Sequence, residues 1–347
     1  MVDRRTLNRT LLQRQFLLDR VDGEPLWLVE HLVGLQGQAT LPPYVALWSR
    51  LRDFDHASLT ALLESREAVR IVVMRGTIHV LSAADCLELR PLVQPVLDRT
   101  LKGADFAKRV HDVPHDDIAE AAHAVLTGSD PVDNKQLGLA LAQKFPGHRS
   151  GDLANIARVL LPLVQVPPRG LWKRSGSPTY ALAQDWLDAP LSEQPDLAEV
   201  VRRYLRAFGP ANAADVSTWC GLTGTAAVMR ELDLVRLRDE DGRELFDLED
   251  MALAAPDTPA PVRLLGQYDN VFLSHRDRSR IFDERYRSWW MGPNGVAGAA
   301  VLVDGFLEGL WRVEDGRVHL DLFRKLTRAE QTDVEAEVAR LEQFLAH

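Results

Sequence analysis

The chain has 347 residues, 46% of them hydrophobic and 26% charged, the composition of an ordinary globular protein with room for more than one core. Its formal net charge of −9 excludes a protein that coats nucleic acid through bulk electrostatics, but not one with a local basic face. Residues 1–20 alternate apolar and charged side chains and so lack the hydrophobic stretch of a secretory signal, and no run has the length of a transmembrane helix. Cys86 and Cys220 match no zinc or redox spacing and are expected to be buried thiols in a reducing cytoplasm, with no disulfide.

In chain order, Leu7, Leu11, Leu12, Gln15 and Leu18 share one helical face, which predicts a first helix over 6–20 that Asp22-Gly23 ends. Trp27, Leu28, Leu32 and Leu35 then recur at helical spacing, a second helix with a buried apolar face that closes on Gln36 and Gln38. Gly37 and the Pro42-Pro43 pair are read as its stop. At a helix mouth alternate residues aim at one spot, and two amides there supply carbonyl acceptors and N–H donors. Together they suit one water molecule; equally, they suit a helix end capped in solvent. Short helices over 44–51 and 58–65 follow, the latter opened by Ser58.

Residues 69–73 (VRIVV) and 77–81 (TIHVL) are β-branched runs around Met74-Arg75-Gly76 and predict a hairpin. Helices followed by a hairpin make a winged helix, and the order returns twice. Helices over 116–126, 134–143 and 151–161 precede strands 163–166 and 179–182. Helices over 197–208, 212–220 and 223–232, with Gly221 in the turn, have helix-turn-helix spacing. Strands 234–237 and 244–248 then flank Asp241-Gly242, a hairpin turn.

Past the Pro-rich stretch 255–261 the pattern becomes short strands, 262–265, 298–303, 306–313 and 317–323, with tight turns at Asp304-Gly305 and Asp315-Gly316. A last helix over 327–345 opens on the capping-box pattern Thr-Arg-Ala-Glu. The expected class is α+β: three tandem winged-helix domains (1–112, 113–190, 191–255), then a small antiparallel β domain with a C-terminal helix (256–347). The competing arrangement is three unrelated helical modules.

Walker, dinucleotide-binding, His-Glu-x-x-His and Gly-x-Ser-x-Gly motifs do not occur, so nucleotide hydrolysis, hydride transfer and zinc proteolysis lose support. His111 and His115 stand four apart with Pro114 between them, a polar loop and no metal site. Ser274, His275 and Asp277 carry triad residue types, but sequence neighbours diverge in direction and cannot assemble one. Arg276, Arg278 and Arg280 alternate with polar or acidic residues; in an extended segment they share a face and could follow a phosphate backbone. Lys173 and Arg174, in the loop of the second hairpin, are a weaker pair of the same kind. The other reading of both groups is a solvated surface.

The Leu-Gln-Gly-Gln motif, the VVMRGTIHVLSA hairpin and the YDNVFLSHRDRSR segment together resemble the AlkZ-like bacterial winged-helix DNA glycosylases of azinomycin-resistance type, over nearly the whole chain. The resemblance implies three tandem winged helices plus a small β domain, and a catalytic Gln-apolar-Gln motif. Here that motif falls on Gln36 and Gln38, with Gly37 where the family usually has a larger apolar residue. A related branch has aspartate at the second position and is associated with a broader role on crosslinks and alkylated bases; this chain has glutamine. His275, with the arginines and Lys173, becomes a DNA-binding candidate, and Asp269 and Asn270 become supports behind the motif.

The activity implied is a monofunctional DNA glycosylase that excises N7-alkylated guanine, bulky or crosslinked adducts included, by water attack at C1′. It needs no cofactor or metal, acts as a monomer on double-stranded DNA and not on membranes, and belongs in the cytoplasm with the nucleoid. A transcription regulator or a lesion shield, built of the same modules without catalysis, is the alternative from a different class.

Overall fold

The computed structural model describes residues 1–292 and 296–347. Three times in succession short helices lead into an antiparallel hairpin, and a four-stranded antiparallel sheet and a long helix complete the chain. In the first stretch, helices Arg4–Arg14, Pro25–His31, Leu41–Trp48 and His56–Glu64 surround the short strand β1 (Leu35–Gln36) and precede the hairpin of β2 (Ala68–Val72) and β3 (Ile78–Ser82).

Several ends fall elsewhere than periodicity suggests. The first helix stops at Arg14 rather than near residue 20, because Phe16 takes a left-handed φ of 57°. Pro42 and Pro43 do not stop a helix; they lie in the first turn of the next one, where a missing N–H and a fixed φ cost nothing. Asp55, not Ser58, caps the fourth helix, accepting from the Ala57 N–H at 2.9 Å. Helices Ala83–Leu92 and Gln94–Gly103 have no counterpart in the sequence reading, since Pro91 and Pro95 interrupt the pattern.

The second stretch contains helices His115–Leu126, Asn134–Lys144 and Ser150–Leu160, with β4 (Val132–Asp133), β5 (Leu163–Val166) and β6 (Thr179–Leu182). Its hairpin does not stand alone. β5 pairs with β2, Arg70 opposite Gln165 and Ile71 opposite Val164, so two hairpins fuse into one sheet of order β1-β3-β2-β5-β6-β4. The third stretch has helices Leu197–Phe208, Ala213–Cys220 and Thr225–Glu231, with Gly221 left-handed at φ 80°, before the separate hairpin of β7 (Val235–Arg238) and β8 (Glu244–Asp247).

The last sheet has the order β12-β11-β10-β9, from β9 (Arg263–Leu265), β10 (Ala299–Val303), β11 (Phe306–Glu314) and β12 (Arg317–Leu322). Asp304-Gly305 and Asp315-Gly316 have positive φ at both residues, the backbone of tight hairpin turns. Thr327 and Glu330 form the capping box of helix Arg328–Ala346. One apolar core runs from Leu11 through Val164, Val166 and Leu171 and the third stretch to Val334, Leu341 and Phe344, while most buried apolar residues between Leu101 and Leu182 form a second core. The C-terminal sheet is thus joined to the first helix: buried Asn8 donates to Gly305 O at 2.8 Å and Arg9 to Asp304 O at 2.9 Å.

Candidate active site

The two glutamines do not close a helix. Helix Pro25–His31 is followed by Val33 and Gly34 in left-handed conformations, φ 52° and 94°, and the Gly34 N–H returns to Val29 O at 2.8 Å. This is the capping geometry that ends a helix and turns the chain out of it. The next residues become β1, with Leu35 opposite Val80, Gln36 opposite His79, and the Gly37 N–H donating to Ile78 O at 2.7 Å. Trp27 is 43% exposed rather than on the buried face.

Each amide oxygen is held by a protein donor. Gln36 is buried, and its Oε1 accepts from Arg75 Nη2 at 2.7 Å. Gln38 is exposed, and its Oε1 accepts from the Ile78 N–H at 3.2 Å. A carbonyl oxygen has two lone pairs, so each amide keeps one acceptor position and its –NH2 for a water or a substrate.

Behind the motif, Asn270 Nδ2 donates to Leu32 O and Gly34 O at 3.3 and 2.9 Å, fixing the turn that leads into β1. Its neighbour Asp269 meets Arg50 in a buried ion pair, Oδ1 to Nη2 at 2.7 Å and Oδ2 to Nη1 at 2.9 Å, and also caps the Val271 N–H. Asn270 thus touches the turn before the motif and Asp269 does not, and neither is hydrogen-bonded to either glutamine.

Three residues of the first hairpin escaped the sequence reading. Arg75, at the hairpin tip with φ 57°, donates to Gln36, to Trp219 O at the end of helix Ala213–Cys220, and lies 3.4 Å from His79 Nε2. Burial, with the Arg278 charge acting in the same direction, lowers its pKa to about 10, so it stays a cation at neutral pH. His79 is enclosed, and burial together with the Arg75 charge takes its pKa down to about 3, so it is a neutral ring. Arg70 donates through Nη2 to Gly37 O at 2.7 Å. Among the described residues no carboxylate pairs with Arg70 or Arg75. Alternation in VRIVVMRGTIHVL signals a strand but not which partner each face meets.

The Arg276–Arg280 row does not share a face. The segment is not extended: Ile281 and Phe282 N–H groups both return to Arg278 O, a turn that sends successive side chains apart. Arg276 is exposed, Arg278 is half-buried with its guanidinium 5.4 Å from the Trp290 ring centre, and Arg280 is buried, donating to Pro210 O at 3.1 Å. His275 is also buried, its Nδ1 3.0 Å from Ser274 Oγ, and Asp277 pairs with Arg243 instead. Lys173 and Arg174 are exposed, with Lys173 Nζ 3.3 Å from Ala346 O.

A family model described as DNA glycosylase AlkZ-like matches residues 29–344, a span that includes both glutamines, Arg70 and Arg75. The chain belongs to the AlkZ-like DNA glycosylase family. It is 25% identical over 350 residues to an interstrand DNA cross-link repair glycosylase of Streptomyces sahachiroi, covering 95% of this chain and 93% of that protein. The fold is that of the solved S. sahachiroi DNA glycosylase AlkZ, with a TM-score of 0.83 and 21% identity over 100% of this chain and 98% of the other. A DNA glycosylase is an enzyme of DNA repair, and its partner is DNA. No described helix is long and apolar enough to cross a membrane.

Proposed function

We propose that this glycosylase hydrolyses the N-glycosidic bond of guanine alkylated at N7, with Gln36 and Gln38 as its catalytic residues. The observation that carries this reading is the pair of anchored amides: both oxygens are fixed by protein donors, and each retains one lone pair. Alkylation at N7 makes the base cationic, so it departs without an enzyme acid. What remains is to hold a water against C1′ and to complement the charge developing on the sugar, tasks of orientation that neutral amides perform. His79, kept neutral, offers no acid at physiological pH. No lysine occurs before Lys102, which leaves the motif and the first hairpin without an amine for a Schiff base.

The relative named for interstrand cross-link repair supports bulky or crosslinked lesions as substrates of this chain too. Exposed Gln38 puts the motif at an open surface, which suits an adduct too large for a closed pocket. The DNA contacts are Arg276, Lys173 and Arg174, with Arg278 nearer the motif. In this reading 1–112, 113–190 and 191–255 are winged helices, 256–347 is the β domain with its helix, and one chain acts alone on a duplex in the cytoplasm.

The test is a duplex with one N7-methylguanine, incubated with the protein and then treated with alkali. Cleavage at the lesion only after alkali is expected. Strand cleavage without alkali would replace water by an amine nucleophile, and an intact strand after alkali would leave a protein that binds or shields this lesion.

A further inference from the structure

The middle residue of the motif is a glycine, and the space above it is taken by Arg70. A Cβ on Gly37 would stand 3.0 Å from Arg70 Nη1, 3.4 Å from Pro43 Cγ and 3.5 Å from Val80 Cγ2. Nearer the base of the same side chain, Gly170 has φ +98°, and a Cβ there would stand 2.2 Å from Arg70 Cδ and 2.7 Å from Nε. The arginine is therefore packed against two glycines, one in the motif and one in the loop of the second hairpin. Tyr44, in the helix that follows the motif, donates its hydroxyl to Gly170 O at 3.1 Å and closes the stack. The strand pairing of Arg70 with Gln165 fixes its backbone from the same side.

Arg70 is 1% exposed. Among the described residues its Nε has no partner and its guanidinium makes one hydrogen bond, to Gly37 O. Burying a guanidinium without a carboxylate costs free energy, so retaining one here calls for a reason other than stability. A leucine or methionine would fill the space at lower cost.

We infer that Arg70 is a positioning residue for the reaction: it fixes the peptide between Gln36 and Gln38, in place of the apolar side chain that the motif lacks. Gly37 O belongs to the peptide that leads into Gln38, and a charged donor on it sets the plane of the Gly37-Gln38 peptide, hence the direction in which Gln38 leaves. Arginine at 70 and glycine at 37 and 170 form a single packing unit. A larger side chain at 37 crowds the end of the arginine, which must give way by a few tenths of an ångström, and meets only ordinary contacts from Pro43 and Val80 once the arginine is removed.

This inference rests on the reading that the two glutamines act on the glycosidic bond, so the experiment has a readout that does not need excision. Single-turnover excision of N7-methylguanine, DNA affinity and the Gly37 carbonyl signal are measured in wild type, Arg70→Lys, Arg70→Met, Gly37→Leu and the Gly37→Leu/Arg70→Ala pair. For the signal, 13C-carbonyl glycine and 15N glutamine label only Gly37-Gln38 and Gly266-Gln267, and Gln38→Asn identifies which is which. Arg70→Met is expected to slow excision by roughly ten- to a hundredfold, the range for a lost charged hydrogen bond, with DNA affinity held. Arg70→Lys should recover part of the rate, and the Gly37 signal should move in Arg70→Met but not at Gly266. Gly37→Leu should lose activity that the double variant regains in part. Should Arg70→Met fail to fold, Arg70→Lys and the double variant carry the comparison. An unmoved Gly37 signal, or full activity in Gly37→Leu with Arg70 retained, overturns the inference. No excision by wild type alongside a moved signal overturns the catalytic part and leaves the brace.

Discussion

In the proposed reaction the chemistry turns on which atom of each glutamine is left to the substrate, and Arg75 fixes the orientation of the Gln36 amide. Its Nη2 holds Oε1 at 2.7 Å, so the amide cannot turn over without losing a charged hydrogen bond. Replacing Gln36 or Gln38 by alanine should leave folding and DNA affinity near wild type and slow single-turnover excision by roughly ten- to a thousandfold. Gln38→Asp should keep substantially more activity than Gln38→Ala, because a carboxylate opposes the sugar cation and can take a proton from water. Equal losses would mean that the amide N–H groups matter there rather than the oxygen. Arg75→Met should slow excision in an otherwise native chain but add nothing to Gln36→Ala, since its effect passes through that side chain. Additive losses would give Arg75 a separate role on DNA.

At the level of elements, the motif depends on a turn that the sequence disguised. Leu28, Leu32 and Leu35 keep helical spacing through a stretch that is helix only as far as His31, because the core accepts leucines from a helix, a turn and a strand alike. Two-residue β1 has no pattern of its own; it exists because β3 lies beside it. By contrast, strands 163–166 and 179–182 and helix Leu197–Phe208 match their expected limits, being bounded by local turn and cap residues. Local signals therefore carried the third stretch and the last sheet, and failed where pairing across 90 residues or more joins β2 to β5. The glutamines stood out in the sequence as candidates, whereas Arg70, Arg75 and His79 acquire meaning only from what faces them. Gly34→Ala tests the turn. Its φ is 94°, and a Cβ would lie 2.4 Å from Leu81 Cδ2. Left-handed strain of about 1–2 kcal/mol and overpacking of about 1–3 kcal/mol should both appear in denaturant unfolding. A change under about 1 kcal/mol would mean that the turn yields easily and does not hold β1.

Across the whole molecule, three histidines are folded in as neutral rings, and this links the site to stability in acid. Burial lowers the pKa of His31, of His275 and of His79, the last to about 3, with neighbouring arginine charges acting in the same direction. The unfolded chain takes up these protons near pH 6.5 and the folded chain at lower pH, for His79 about 3, so between those values the unfolded state binds more protons. The histidines' contribution to stability is therefore present above about pH 6.5 and falls as the pH drops from there, for His79 down to about pH 3 and by up to about 1.4 kcal/mol per pH unit. Carboxylates held low by arginine, such as Glu330 at about 2, contribute stability that is lost only at lower pH, from the ordinary carboxylate range down to about 2. Loss of stability between pH 6.5 and 5 thus belongs to the histidines. His79→Asn keeps a donor for Thr77 O, which Nδ1 now meets at 3.0 Å, and removes the titration. In urea unfolding its stability should depend less steeply on pH over that interval than that of wild type, while the two slopes converge above pH 7, where neither state takes up a proton at this position. A variant with the wild-type slope would show that His79 takes up its proton without unfolding, and that the ring beside Arg75 and Gln36 is open to water.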